Sequence, residues 1–457
     1  MAATSNSIIS LRRHDLDNVR TFLTGLVTVH HATVAYGGAG SWPLKSALFN
    51  GGTSLALTSL NVLNQSFFMG LFFWISGRVS AQSLSKTLPW PFLKNKLIRL
   101  GLPAVVYTLT VAPAVRLTAL PRWDATSMQT CLSNYWSRLN AVQGPLWYNA
   151  TLLVFDAVAA AVVLMSAKKT RAEKQTSAPV PGAVPGVSID GDHDDCGGST
   201  RIPTYEKLSK LGWVAVAVAS ALVRLRYPVG RCLPIIALQP AFGCQYVFAY
   251  GLGYLSYVWE VPRMVGPFDQ LVMARAAEVK EKPSTPPPTS FRIFSRISLP
   301  TAFALAVSSM ALIILPRYMD TPDDWRGSVF RQVWGGWNLP ALIYAFWNEF
   351  AFVTLGPAIM DYFERRHNRP LSSTSVWNAR YSYAAFLVHT PLLVAGQIGT
   401  ETLLSPWESA ASWVNKPLWQ FVGPLVLTLG VGVGSSWASF WLGKKLLEWV
   451  PSLKKII

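Results

Sequence analysis

Ten stretches of this chain are apolar enough and long enough to cross a bilayer as helices, and they limit the fold more than any motif does. They fall at about 16–36, 61–82, 98–119, 145–166, 210–227, 238–259, 299–317, 338–361, 379–398 and 418–443. A hydrocarbon core about 30 Å thick takes roughly 20 helical residues. Backbone inside it must satisfy its own hydrogen bonds, which a helix does. Composition agrees: 51% of the 457 residues are hydrophobic, 14% are charged, and mean hydropathy is +0.29. The expected fold class is an all-α polytopic membrane protein of about ten transmembrane helices, not a soluble domain of this length.

The loops between these stretches alternate in charge. Residues 83–97 carry Lys86, Lys94 and Lys96, and 167–209 open with Lys168, Lys169 and Arg171. Residues 260–298, 362–378 and the C-terminal tail are also basic, whereas 37–60, 318–337 and 399–417 are poorer in cations. Cytoplasmic loops hold the excess of Lys and Arg, so both termini are expected in the cytoplasm. The net charge of +17 then needs no nucleic-acid partner, and no basic platform interleaved with aromatics stands out. Arg224, Arg226 and Arg231 run against the pattern. The N-terminus shows no h-region with a small-residue cleavage site, so the first span reads as a retained signal anchor. Residues 1–457 read as one membrane domain. Within it, 167–209 and 260–298 read as disordered-leaning cytoplasmic inserts, because 177–200 and 281–290 are rich in Pro, Gly and Ser. The run Asp192 to Cys196, with His193, lies in the first insert and reads as a solvated acidic loop, not a metal site. Four cysteines make no disulfide framework and no CxxC site. Cys131 and Cys232 fall in two outer loops and either pair or stay as thiols.

Ionisable residues inside apolar spans are costly and usually face a cavity or a partner. The first span, LDNVRTFLTGLVTVHHATVAY, carries Asp17, Arg20, His30 and His31. Arg20 and His31 are eleven residues apart, about three helical turns, so they share a face roughly 16 Å apart. His30 points roughly 80° away. This puts a cation near one mouth and an imidazole about halfway through the core. Glu349, His389, Asp156 and Arg224 are further polar groups inside spans. Each alone suits a structural hydrogen bond; together they suit a shared polar cavity. Ser76-Gly77 permits close approach of backbones in the second span. Lys94, Lys96 and Arg99 lie at its cytoplasmic mouth. They read either as ordinary positive-inside charge or as ligands for the phosphates of an anionic cosubstrate.

Five pieces, in order, resemble the acyltransferase-3 family of integral-membrane acyltransferases. They are LDNVRTFLTGLVTVHH with its Arg, ten residues, then His; FFMGLFFWISGRV; FLKNKLIRLGLP; GPLWYNATLLVF; and SYAAFLVHTPLL. The resemblance covers nearly the whole chain. Lys94 and Lys96 depart from it, standing where Arg is commoner, as do the two long inserts, which look eukaryotic. The resemblance implies transfer of an acyl group, usually acetyl, from acyl-CoA to a hydroxyl of a sugar, lipid or small natural product. Acetyl-CoA is then a cosubstrate, with no bound cofactor and no metal. His31 suits a general base that takes the hydroxyl proton. Arg20, permanently charged, suits a CoA phosphate or the thioester region. Glu349, His389, Asp156 and Ser76 would line the substrate cavity, and Lys94, Lys96 and Arg99 would hold CoA. The expected location is an endomembrane such as the endoplasmic reticulum in a eukaryote, or the plasma membrane in a bacterium. Two other classes remain open on physics alone. A transporter or flippase would also bury charge in ten spans, and an intramembrane cyclase or isomerase would use Glu349 or Asp156 as proton donor to an isoprenoid-like substrate.

Overall fold

The computed structural model describes residues 13–46, 48, 54–120, 123–176, 205–260, 297–319, 332–410 and 417–455. Among these residues the chain is helical, with no strand and one isolated bridge between Ala141 and Ile235. The helices are α1 (His14–Ala35), α2 (Leu55–Leu84), α3 (Pro89–Thr118), α4 (Ala125–Ser137), α5 (Trp147–Thr176) and α6 (Tyr205–Arg226). They continue as α7 (Pro240–Glu260), α8 (Leu299–Met319), α9 (Leu339–Arg366), α10 (Ser382–Ala410) and α11 (Pro417–Trp449). Each of the ten expected spans falls on one of them. Five segments are long and apolar enough to cross a membrane: Leu55–Leu84, Pro89–Thr118, Gly144–Ala167, Leu339–Arg366 and Phe421–Trp449. The inserts lie largely outside the described residues, but α5 continues to Thr176 and α6 begins at Tyr205, so the edges of 167–209 are helical.

The hydrophobic pattern sets which helices sit inside. In α2 and α9 the most apolar windows are 72% and 78% buried, against 22% in Gly144–Ala167. Aromatic side chains supply the volume: Phe73, Trp74, Tyr246 and Phe352 are almost fully buried in one cluster. α2 and α7 cross at contact distance. A Cβ at Gly77 would overlap the Tyr250 carbonyl oxygen, and one at Gly253 would overlap that of Trp74. The glycines exist so that the backbones can touch, as small residues allow between membrane helices.

α1 and α10 run side by side in the same direction, and α11 returns against both. Gly25 faces Ser436 while Gly432 faces Val29 and Ala32. Gly396 faces Ser435 while Gly443 faces Ala384 and Ala385. Two π-helical segments interrupt α3, at Leu97–Gly101 and Tyr107–Val111. Their cause is in the sequence. Pro103 and Pro113 have no N–H for the carbonyls of Arg99 and Leu109 four residues earlier, and their rings crowd those carbonyls. Cys131, Cys232 and Cys244 are free thiols.

Candidate functional site

The start of α1 is pinned beside the start of α10. The Asn18 amide donates to the carbonyls of His367 (2.6 Å) and Arg369 (3.0 Å). The Arg20 guanidinium donates to the Ala379 carbonyl (3.2 Å) and to Asp17 (3.3 Å), and the Thr21 and Ser382 hydroxyls meet at 3.2 Å. From this common level, three turns along α1 and two along α10 lead to His31 and His389.

The two imidazoles stack, with centroids 5.4 Å apart and planes 18° from parallel. Trp42 covers His31 as well, at 4.9 Å and 24°. The loop after α1 holds Trp42 there. Its indole N–H donates to the Gln397 side chain (3.3 Å), whose amide donates to the Leu44 carbonyl (3.0 Å). Lys45 Nζ donates to the carbonyls of Val34 and Gly38, closing the loop over the helix end. A ring stacked in this way presents its nitrogens at its edge. His31 Nδ1 is buried with no hydrogen-bond partner, as is His30 Nδ1, and both residues are half-buried. His389 Nδ1 lies 2.6 Å from the Phe386 carbonyl and must donate to it, because a carbonyl only accepts. That fixes the tautomer and leaves Nε2 as an acceptor, 3.4 Å from the Thr390 hydroxyl. His30 turns instead onto Phe68 of α2, at 4.9 Å.

The position of His31 differs from the sequence arithmetic in one respect. α1 is 22 residues long and ends at Ala35. His31 is therefore roughly 25 Å from its start, in the last third and not at the middle. The expected span 16–36 agrees with α1 to within two residues, and His31 stands in the last third of either.

Nearer the start of α1 lies a polar, aromatic mouth. The Ser76 and Tyr148 hydroxyls meet at 2.6 Å, and the Tyr148 phenol feels the Arg20 charge. The Asn149 amide donates to the Tyr383 hydroxyl (2.7 Å), which donates to the Arg99 carbonyl (2.9 Å). That carbonyl is the one Pro103 deprives of a helical donor, so Tyr383 completes the first π segment. The Arg99 side chain is exposed and near Tyr383, and Lys94 is exposed.

Other expected site residues lie elsewhere. Lys96 is committed to Asp156 by an ion pair at 2.9 Å. Asp156 is fully buried and also accepts from Ser80 (2.6 Å) and Tyr250 (2.8 Å). These contacts tie α2, α3, α5 and α7 together. Glu349 is buried in another cluster, accepting from Ser220 and Asn348 at 3.1 Å each, with Arg224 close by. α2 stands between this cluster and the histidines, giving Phe68 to His30 and the Ser66 carbonyl to Gln245. The structure thus brings together His31 and His389, with Arg20 and Ser76 at the mouth, and sets Glu349 and Asp156 in separate networks. Sequence reasoning missed Trp42, Tyr148, Asn149 and Tyr383. The last three sit inside GPLWYNATLLVF and SYAAFLVHTPLL, the pieces that carry the resemblance. Nothing in the loop 37–60 singles out Trp42. Among the described residues no three His, Cys, Asp or Glu converge on a metal-binding geometry.

The family model described as "Acyltransferase domain" (Acyl_transf_3) matches residues 13–437. The chain belongs to the acyltransferase-3 family. The match begins one residue before α1 and ends within α11, so it takes in every helix described above. No curated protein and no solved structure matches the chain. Membership in this family makes the protein a membrane acyltransferase acting on groups other than aminoacyl groups.

Proposed function

We propose that this acyltransferase moves an acyl group, acetyl, from acyl-CoA to a hydroxyl of a sugar, lipid or small natural product, with His31 as general base. The observation that carries the assignment is the stacking of the His31 imidazole on both Trp42 and His389; its Nδ1 is buried without a partner, as is that of His30, but the His30 ring packs on Phe68 instead. A buried polar atom without a partner costs about 1–3 kcal/mol, and an acceptor hydroxyl bound there would supply the missing hydrogen bond. The imidazole takes the hydroxyl proton as the oxygen attacks the thioester carbonyl. Collapse of the tetrahedral adduct breaks the C–S bond, and the imidazolium returns the proton to the leaving CoA thiolate. The products are the ester and free CoA.

The donor side fits the mouth at the start of α1. Arg20 is held by Asp17 and Ala379 with 39% of its side chain accessible. Arg99, whose carbonyl accepts from Tyr383 near the start of α10, is exposed and suited to phosphates, as is Lys94 about a turn and a half earlier on α3. Lys96, spent on Asp156, is left out of that role. CoA is multiply charged, so the mouth should face the cytoplasm, which agrees with the loop charges and puts both termini on that side. The protein is then a multi-pass resident of an endomembrane or the plasma membrane, with ten helices crossing. The experiment is to offer radiolabelled acetyl-CoA and an extract of the source cells to purified protein. Label in an extractable, base-labile ester supports the reading. CoA and label recovered unchanged, with transport or isomerisation in their place, would sink it.

A further inference from the structure

We infer that a cleft between α3 and α4, about 25 Å along α3 from Arg99, is a binding site for a hydroxylated organic anion. The cleft measures about 600 Å³ and is lined by Arg116, Arg138, Thr130, Asn134, Tyr135 and Gln143, among others. That volume suits one small molecule. Its walls are rich in hydroxyl and amide groups and hold two cations. A guanidinium presents a fork of donors that matches a carboxylate or a phosphate.

The lining is held in place. Arg116 lies over the Tyr135 ring at 5.3 Å and donates to the Gln143 side chain at 3.1 Å. Those contacts orient its guanidinium and spend part of its donor set. Arg138, at the end of α4, is exposed. Asp124 is occupied in capping α4, accepting from the Ser127 N–H (2.9 Å) and hydroxyl (2.8 Å).

The floor of the cleft leads to the histidines. The Tyr135 hydroxyl donates to the Thr108 carbonyl, and the Gln143 N–H donates to the Thr108 hydroxyl (3.2 Å). Thr108 belongs to the second π segment, where Pro113 removes a backbone donor. Its neighbour Tyr107 reaches Thr390, whose hydroxyl is 3.4 Å from His389 Nε2. His389 stacks on His31. A chain of contacts through Thr108, Tyr107 and Thr390 therefore joins the lining of the cleft to the imidazole pair. The donor mouth and the cleft sit at opposite ends of α3, so two substrates would approach the histidines from opposite sides. The role of this anion as the acyl acceptor rests on the acyltransferase reading above; its binding does not.

The test is calorimetric titration of the purified full-length protein without acyl-CoA, at low salt. Quinate is the carboxylate probe, glucose 6-phosphate the phosphate probe and glucose the uncharged control. The expected result is saturable binding of one or both anions and binding of glucose at least tenfold weaker. Arg138→Glu and the double variant Arg116→Gln/Arg138→Gln should each weaken anion binding by about tenfold or more, the worth of one charge-assisted contact. Arg226→Gln, outside the cleft, should leave it unchanged. Arg138 is exposed, so its substitution should leave the size-exclusion profile intact. Three results overturn the inference: neither anion binds, glucose binds as tightly as the anions, or Arg138→Glu binds as wild type does. Anion binding with no acetyl transfer to any extract would instead count against the acyltransferase reading.

Discussion

At the scale of single residues, one ion pair explains why two expected site residues have another task. Lys96 and Asp156 are 60 positions apart in sequence, and nothing in either segment announces the pairing. The lysine side chain is 17% exposed and the carboxylate not at all. Removing one member of such a pair strands the other charge, at about 3–5 kcal/mol. Lys96→Met should therefore lose most folded protein, read as a drop in apparent Tm and a broadened size-exclusion peak. Lys96→Met/Asp156→Asn should recover much of it. Equal loss in both variants would place Lys96 in direct ligand binding and not in this network. Gly77 offers a second residue-scale test. Its Cβ would overlap the Tyr250 carbonyl, and backbone cannot step aside as a side chain does. Gly77→Ala should cost about 1–3 kcal/mol, visible as a lower Tm, while Gly430→Ala, with nothing within 4 Å, should not. Here the sequence was informative, since Ser-Gly inside an apolar run already marked a close approach.

At the scale of elements, the spans were legible because hydrocarbon imposes one solution on twenty apolar residues. The amphipathic α4 was not, because ATSMQTCLSNYWS is too polar and too short to register as a span. The π segments were half-legible. Pro103 and Pro113 stand in plain view inside an apolar run, but that Tyr383 answers the Arg99 carbonyl and Tyr135 the Thr108 carbonyl beside Leu109 depends on neighbours that only the fold brings near. Such segments often sit at functional sites, and both here border the proposed substrate routes. The stretches 177–200 and 270–290 lie outside the described residues. Their richness in Pro, Gly and Ser motivates a deletion test. Deleting either should leave expression and acetyl transfer near wild type. Loss of transfer with expression intact would show that the insert takes part in function.

For the whole molecule, the family and the membrane class were readable in the chain, and the partition of its buried charges was not. Hydropathy counts polar groups inside spans without saying which share a cavity. Five such groups suggested one site; packing divides them among the histidine pair, the Asp156 network and the Glu349 cluster, with α2 as the divider. Loop charge is the ground for the proposed orientation. Cysteine-accessibility mapping should find residues 177–200 and both termini on the cytoplasmic side. Labelling of that insert from the opposite side would invert the donor and acceptor faces proposed above.

The account turns on His31, and the most direct measurement compares acetyl transfer by wild type, His31→Ala and His30→Ala, matched for folded protein by size-exclusion profile. Both histidines have a buried Nδ1 without a partner, but His31 stacks on Trp42 and His389, whereas His30 packs on Phe68. Loss of a general base costs about a hundredfold or more in rate. The account predicts that fall for His31→Ala and most of the wild-type rate for His30→Ala. A dead His30 variant beside an active His31 variant would contradict it.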